Sequence, residues 1–261
     1  GVQRFTFFGV GGNDILDASA SDVHVIAIGS NGSGGAAGDD HLQGGALNDI
    51  LQGDGGNDTL IGHGGNDFIS GGTGDDLIVW EDQSSGSFSD SDGNDVVSGN
   101  DGNDVLEMHA SSSGSVFIVD GFGSPHVHVG NDRIDFDTVE TLSFVGGAGN
   151  DAVLSDTPLD GIVVTRLVFD GAGGNDVADL STLGNDVVVE ASGGAGNDTL
   201  TGSANDDTLS GGDGDDLLNG GAGIDTIDGG DGDDHVVWVA DDGNDDIESG
   251  AGNDILEMFL S

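Results

Sequence analysis

GAAGDDHLQ, GGALNDILQ, GDGGNDTLI, GHGGNDFIS and GGTGDDLIV run without a break from Gly35 to Val79. GGAGNDTLT, GSANDDTLS, GGDGDDLLN, GGAGIDTID and GGDGDDHVV do the same from Gly193 to Val237. Each unit reads G-G-x-G-x-D-x-U-x, with U a large aliphatic residue. The glycine half can turn tightly and bring bare backbone close to a neighbour, because glycine tolerates positive φ. The x-U-x half fits a three-residue strand with U inward and its neighbours outward, because side chains alternate along a strand. The sixth position is aspartate in every unit: Asp40, Asp49, Asp58, Asp67, Asp76, then Asp198, Asp207, Asp216, Asp225 and Asp234. Stacking such turns brings carboxylates together, which calls for a cation between them.

Composition points the same way. The formal net charge is −47, from 50 acidic against three basic residues. A chain so acidic cannot bind nucleic acid by neutralising phosphates, and anionic membranes repel it. Self-repulsion opposes the compact state, so the expectation is a metal-free chain that is unfolded and folds on divalent binding, with metal affinity serving as folding energy. Carboxylate and carbonyl oxygens select Ca2+, which accepts six to eight of them in flexible geometry, over Mg2+. There is no cysteine, hence no thiolate zinc site and no disulfide. No apolar run reaches the length of a membrane span, and no signal peptide is expected in these residues.

The nonapeptide resembles the RTX, or haemolysin-type, calcium-binding repeat of bacterial secreted proteins, a parallel β-helix signature. The resemblance implies an all-β parallel β-roll or β-helix solenoid with Ca2+ between stacked glycine-rich turns. It also implies type I secretion to the cell surface or beyond, and backbone carbonyl ligands from Gly56, Gly65, Gly74, Gly214, Gly223 and Gly232. Beyond the two blocks, sites are expected at Asp14, Asp95, Asp104, Asp151, Asp176, Asp186, Asp245 and Asp254, and more weakly at Asp132, whose HVGND turn lacks most of the glycine. Roughly one Ca2+ per aspartate would add about 38 positive charges and leave about −9, an ordinary solubility charge. Leu47 and Asn205 replace the fourth-position glycine. A left-handed leucine is strained, so Leu47 is expected to weaken its site.

A longer period contains the short one. RFTFFGVGGNDILD (4–17) matches RLVFDGAGGNDVAD (166–179), and GNDGNDVLEMHAS (99–111) matches SGAGNDILEMFLS (249–261). Residues 1–165 read as a first macro-repeat, with the block 35–79 and further units over 90–107. Residues 166–261 read as a truncated second, with the block 193–237 and further units over 240–257. One continuous solenoid is expected, two nonapeptides per coil. Asp40, Asp58 and Asp76 should then line one edge with Asp49 and Asp67 on the other, and Asp198, Asp216 and Asp234 should lie opposite Asp207 and Asp225. The core is expected to be thin: Leu42, Leu51, Leu60, Ile69 and Ile78 in one block, Leu200, Leu209, Leu218, Ile227 and Val236 in the other. Helix is unlikely, with 52 glycines and no 3.6-residue period.

Competing readings are weaker. Asx turns place aspartate in turns without metal, but they explain neither the unchanging sixth position nor the charge. An EF-hand needs glycine at loop position six, where SDSDGNDVVSGND has Asp95. His126 and His128 could face the same way on a strand as a transition-metal pair, although plain surface histidines are the simpler reading. Trp80 and Trp238 read as core or capping residues. No nucleophile elbow, zinc-protease helix or phosphate loop is present, so no enzyme activity is expected. Outward Ile50, Ile61, Phe68, Leu77 and Val79 suggest a lateral surface for self-association into filaments or arrays. The leading function is a calcium-stiffened structural module of a large secreted, cell-surface or filament-forming protein. The alternative is a non-catalytic export and folding module of a secreted enzyme or toxin. Ice binding would need a regular threonine row, and the first block offers only Thr59 and Thr73.

Overall fold

The computed structural model describes residues 3–29, 38–81, 93–121, 123–159, 161–184, 186–239 and 243–259. The openings of the units beginning at Gly35, Asp90 and Ala240 lie outside these. Every regular element among the described residues is a strand. The chain forms parallel sheets wound as a β-solenoid, and its contacts divide into two compact units. One comprises Gly1–His109 with His126–Leu142, the other Ala110–Pro125 with Ser143–Ser261.

In the first unit, strands Arg4–Phe8, His24–Ile28, Ile50–Gly55, Phe68–Thr73, Asn94–Asp101 and Asp132–Asp137 pair in parallel in that order. A second sheet runs Ile15–Asp17, His41–Gln43, Thr59–Ile61, Leu77–Glu81, Val105–His109. Because register is strict, the eighth-position residues stack. Leu42 lies on Leu60, Ile78 and Leu106 in one sheet, and Leu51 on Ile69 and Val97 in the other. All are buried.

The second unit repeats the arrangement. One sheet runs Val116–Asp120, Ala152–Ser155, Val177–Asp179, Thr199–Thr201, Leu217–Asn219, His235–Val239, Ile255–Phe259. The other runs Arg166–Asp170, Val188–Ala195, Thr208–Asp213, Thr226–Asp231, Asp246–Glu248. Longer coils admit aromatic core residues. Phe117 and Phe144 pack at a ring-centroid distance of 5.2 Å.

One element breaks the parallel rule. His126–Val129 pairs antiparallel with Asp132–Asp137 across Gly130 and Asn131, with Val129 opposite Asp132. Gly130 has φ 61°, the left-handed first position of a tight hairpin turn. Asp132 therefore belongs to a hairpin and not to a glycine-rich metal turn. The outward apolar residues divide. Ile50 and Phe68 are exposed and lie side by side, while Val79 is buried. Trp80 is buried and Trp238 half-buried.

Candidate metal centre

The sixth-position aspartates form columns up the edges of each unit. In the first, the amide of Asp14 donates to Asp40 Oδ1, that of Asp40 to Asp58 Oδ1, of Asp58 to Asp76 Oδ1 and of Asp76 to Asp104 Oδ1, at 2.7–2.8 Å. On the other edge the amide of Asp49 donates to Asp67 Oδ1 and that of Asp67 to Asp95 Oδ1, both at 2.8 Å. In the second unit one column runs Asp151, Asp176, Asp198, Asp216, Asp234, Asp254. The other runs Asp207, Asp225, Asp245. The alternation of edges is the one expected from two nonapeptides per coil. Asp151 bonds Asp176 without interruption, so a column runs straight past residue 165.

Asp186 departs from the expectation. It is exposed, and the slot below Asp207 belongs to Val189, whose amide donates to Asp207 Oδ1 at 2.7 Å. The reason is strand alternation. Val187, Val189 and Ala191 all point inward, so Asp186 falls on the outward phase. Val25 plays the same part below Asp49. Two column ends carry residues that the nonapeptide pattern does not flag. Glu140 accepts the Asp104 amide at 2.8 Å, and Ser115 donates its amide to Asp151.

Burial sets the electrostatics. From Asp40 through Asp234, fourteen column aspartates are each at most 4 % exposed, and Asp14, Asp245 and Asp254 are half-buried. Oδ1 is satisfied by the next coil, yet Oδ2 of Asp14, Asp58, Asp67, Asp76, Asp104, Asp176, Asp198, Asp216 and Asp234 is buried with no hydrogen-bond partner. An unpaired buried carboxylate oxygen is costly. Desolvation, reinforced by neighbouring column carboxylates, pushes Asp58, Asp176, Asp216 and Asp225 up to about 6. It pushes Asp76 to about 7 and Asp67 to about 9.

Carbonyl oxygens crowd the same orphans. A Cβ added at Gly53 would land on both Asp58 Oδ2 and the Gly71 carbonyl, and one at Gly211 on both Asp216 Oδ2 and the Gly229 carbonyl. Both acceptors thus lie against one glycine α-carbon, and the Asp58 and Asp216 Oδ2 atoms among them have no donor, an oxygen-rich setting of the kind a hard divalent cation takes. Among the described residues no group of three or more His, Cys, Asp or Glu side chains gathers, so any such ion would draw much of its shell from backbone. The fourth-position glycines expected to supply carbonyls lie at the edge as well. Gly56, Gly65, Gly74, Gly214, Gly223 and Gly232 all have φ between 109° and 149°. The Gly56 carbonyl faces the α-carbon of Gly74, and the Gly214 carbonyl that of Gly232. First-position glycine carbonyls lie beside the orphaned oxygens, and the repeat pattern carries no signal for them.

Within the two nonapeptide blocks, two units handle Oδ2 differently, and they are the two without the fourth-position glycine. Gly45 donates its amide to Asp49 Oδ2 at 2.6 Å, and Ser203 donates its amide and hydroxyl to Asp207 Oδ2 at 2.5 and 2.9 Å. Leu47 and Asn205 do not take positive φ, so the expected strain is absent and the turn closes onto its own carboxylate instead. Asp151 is capped likewise by the Gly147 amide.

An outer ladder accompanies the buried one. Fifth-position Asp39, Asn57, Asp75 and Asn103 link coil to coil by amide-to-Oδ1 bonds of 2.9–3.1 Å. Asn150, Asn175, Asn197, Asp215, Asp233 and Asn253 do so in the second unit. Ile224 can donate to Asp206 but offers no side-chain acceptor, so that outer ladder stops there. The signal was legible as Asn or Asp recurring at position five.

The family model described as RTX calcium-binding nonapeptide repeat (4 copies) matches residues 43–78, 87–107, 191–218, 210–237 and 239–257. No curated protein matches the chain.

Proposed function

The chain carries RTX calcium-binding nonapeptide repeats, and on that premise we propose that it is a structural module that folds and stiffens as Ca2+ loads its aspartate columns. The observation that carries the reading is the row of buried Oδ2 atoms without partners, beside converging first-position carbonyls. Asp58, Asp67, Asp76, Asp104, Asp176, Asp198, Asp216 and Asp234 would hold the ions, with glycine carbonyls completing the shells. The cation would supply neutralisation of stacked carboxylates in a chain of net charge −47, and with it folding energy.

The β-solenoid of such repeats is a structural calcium-binding fold and not itself catalytic, and we assign the chain no reaction. The repeated 162-residue pattern in the sequence favours a spacer within a large secreted or surface protein, because repeated coils add length. Placement outside the cell, by type I secretion, belongs to the same proposal and is supported by the repeat class. Self-association through exposed Ile50 and Phe68 belongs to the same proposal. No helix among the described residues is long and apolar enough to cross a membrane.

The test is circular dichroism of the purified chain at neutral pH, stripped with EDTA and then titrated with Ca2+ or Mg2+. A disordered spectrum that turns β-rich with Ca2+ and not with Mg2+ is expected. A β-rich spectrum that survives complete stripping would overturn the reading.

A further inference from the structure

The hairpin His126–Val129/Asp132–Asp137 carries a group the calcium columns do not use. His126 and His128 sit two apart on one strand, so their rings share a face. Their Nε2 atoms are 3.0 Å apart, with ring centroids at 4.6 Å and planes near perpendicular at 89°. His126 is 95 % buried, at 5 % exposure, and His128 is half-buried. On the neighbouring strand Asp135 lies opposite His126 and Arg133 opposite His128. The Arg133 Nε donates to Asp135 Oδ1 at 2.7 Å, so that guanidinium is paired with a carboxylate of its own strand.

From this geometry we infer that His126 and His128 form a bidentate nitrogen site for a divalent transition metal of the nickel or copper class, separate from the calcium columns. Two metal–nitrogen bonds of about 2.0–2.1 Å spanning the observed 3.0 Å subtend about 91–97°. That is the angle between neighbouring ligands of a square-planar or octahedral ion. A tetrahedral zinc site would need nitrogens about 3.3–3.4 Å apart. Imidazole pairs also bind Cu2+ and Ni2+ more tightly than the earlier first-row metals. Ca2+, an oxygen-seeking ion, does not compete for this pair. The metal-free state is an N–H···N hydrogen bond between the rings. It leaves the accepting lone pair directed at its neighbour, and metal binding replaces that proton with a cation shared by both rings.

The experiment uses the full chain in saturating Ca2+, so that the carboxylate columns are occupied, with CuCl2 and NiCl2 as probes. Isothermal titration should show one tight equivalent of Cu2+ or Ni2+ per chain. Electron paramagnetic resonance of the Cu2+ adduct should show hyperfine coupling to two imidazole nitrogens. His128→Gln, at the more accessible position, should weaken that equivalent at least about tenfold, the loss that even a ligand's supporting partner causes. It should leave calcium stoichiometry unchanged, and His126→Gln/His128→Gln should abolish the nitrogen coupling. Retention of the tight equivalent by a folded His128→Gln chain, or a copper spectrum with oxygen ligands only, would overturn the assignment. So would the absence of any binding beyond that of the double variant.

Discussion

The turns at Asp49 and Asp207 and the turns at Asp58, Asp67 and Asp76 place the same residue in the same slot and satisfy it by different means. At Asp49 and Asp207 the second carboxylate oxygen is closed off by an amide of its own turn. At Asp58, Asp67 and Asp76 it is buried without a partner. Within the blocks, the two capped turns share the loss of the fourth-position glycine to Leu47 or Asn205, while the Asp151 turn keeps Gly149, without positive φ, and is capped as well. Where that glycine takes positive φ, as Gly56, Gly65 and Gly74 do, no amide of the turn closes onto Oδ2, and the oxygen is left without a partner. Where it is absent, the turn makes its own cap. The repeat thus contains turns with an unpartnered Oδ2 and turns that cap it themselves. Asp49 and Asp207 each begin a column on a coil whose matching slot holds a valine, Val25 or Val189. There the neighbouring coil offers no carboxylate in the matching slot.

After calcium removal itself, the sharpest contrast comes from paired Asp→Asn variants. Asp67→Asn keeps the Oδ1 acceptor for the Asp49 amide and removes a buried charge. Calcium stoichiometry should fall by at least one ion, and the metal-free chain should be no less stable than the parent. Asp49→Asn, with its new NH2 turned to the Gly45 amide, sets donor against donor. It should cost about 1–3 kcal/mol in the calcium-loaded fold and leave the ion count unchanged. Calcium-binding calorimetry and thermal melts in Ca2+ and in EDTA separate the two. Equal calcium loss in both variants would erase the distinction between the turns.

Proton binding gives a second contrast. The folded pKa values of Asp58, Asp76 and Asp67 lie above the ordinary carboxylate value, at about 6, 7 and 9. The folded form therefore binds more protons than the unfolded form between pH about 4 and those values. Without calcium, any residual β structure should be most stable at acid pH below about 4 and decline as pH rises through 6 to 7. With calcium at neutral pH, ion binding should release protons. Metal-free melts across pH, and proton release on calcium addition in buffers of different ionisation enthalpy, measure both. Metal-free stability that rises with pH through this window would contradict the burial of these groups.

The smallest expected effect is a gain. Leu47→Gly restores the fourth-position glycine of its unit, frees Asp49 Oδ2 from the Gly45 amide and should add weak calcium binding at that turn. Titration calorimetry against the parent reads it, and an unchanged isotherm would mean that the missing carboxylate below, at Val25, decides the matter.

Much of this was legible along the chain. A nine-residue period with aspartate at six and an aliphatic at eight dictates both the strand phase and the alternation of edges. An eighteen-residue coil returns every second unit to the same side, which is why Asp40, Asp58 and Asp76 stack as expected. Asp186 is exposed and stands outside the columns, although its Gly-Asn-Asp reads like the others. Its side is set by the downstream phase of Val187, Val189 and Ala191, and those residues take their phase from packing on the next coil. The hairpin at Gly130–Asn131 was visible as a Gly-Asn pair between alternating runs, yet the surrounding repeat argued for another parallel turn.

The periodic residues alone dictate the coil, its inward stripe and the candidate columns, because alternation and glycine's freedom at positive φ are local properties of the backbone. Which carboxylate oxygens end without partners is settled only when coils stack. That outcome depends on how each turn closes against its own side chain and on what the neighbouring coil presents, and neither is local to the nine residues.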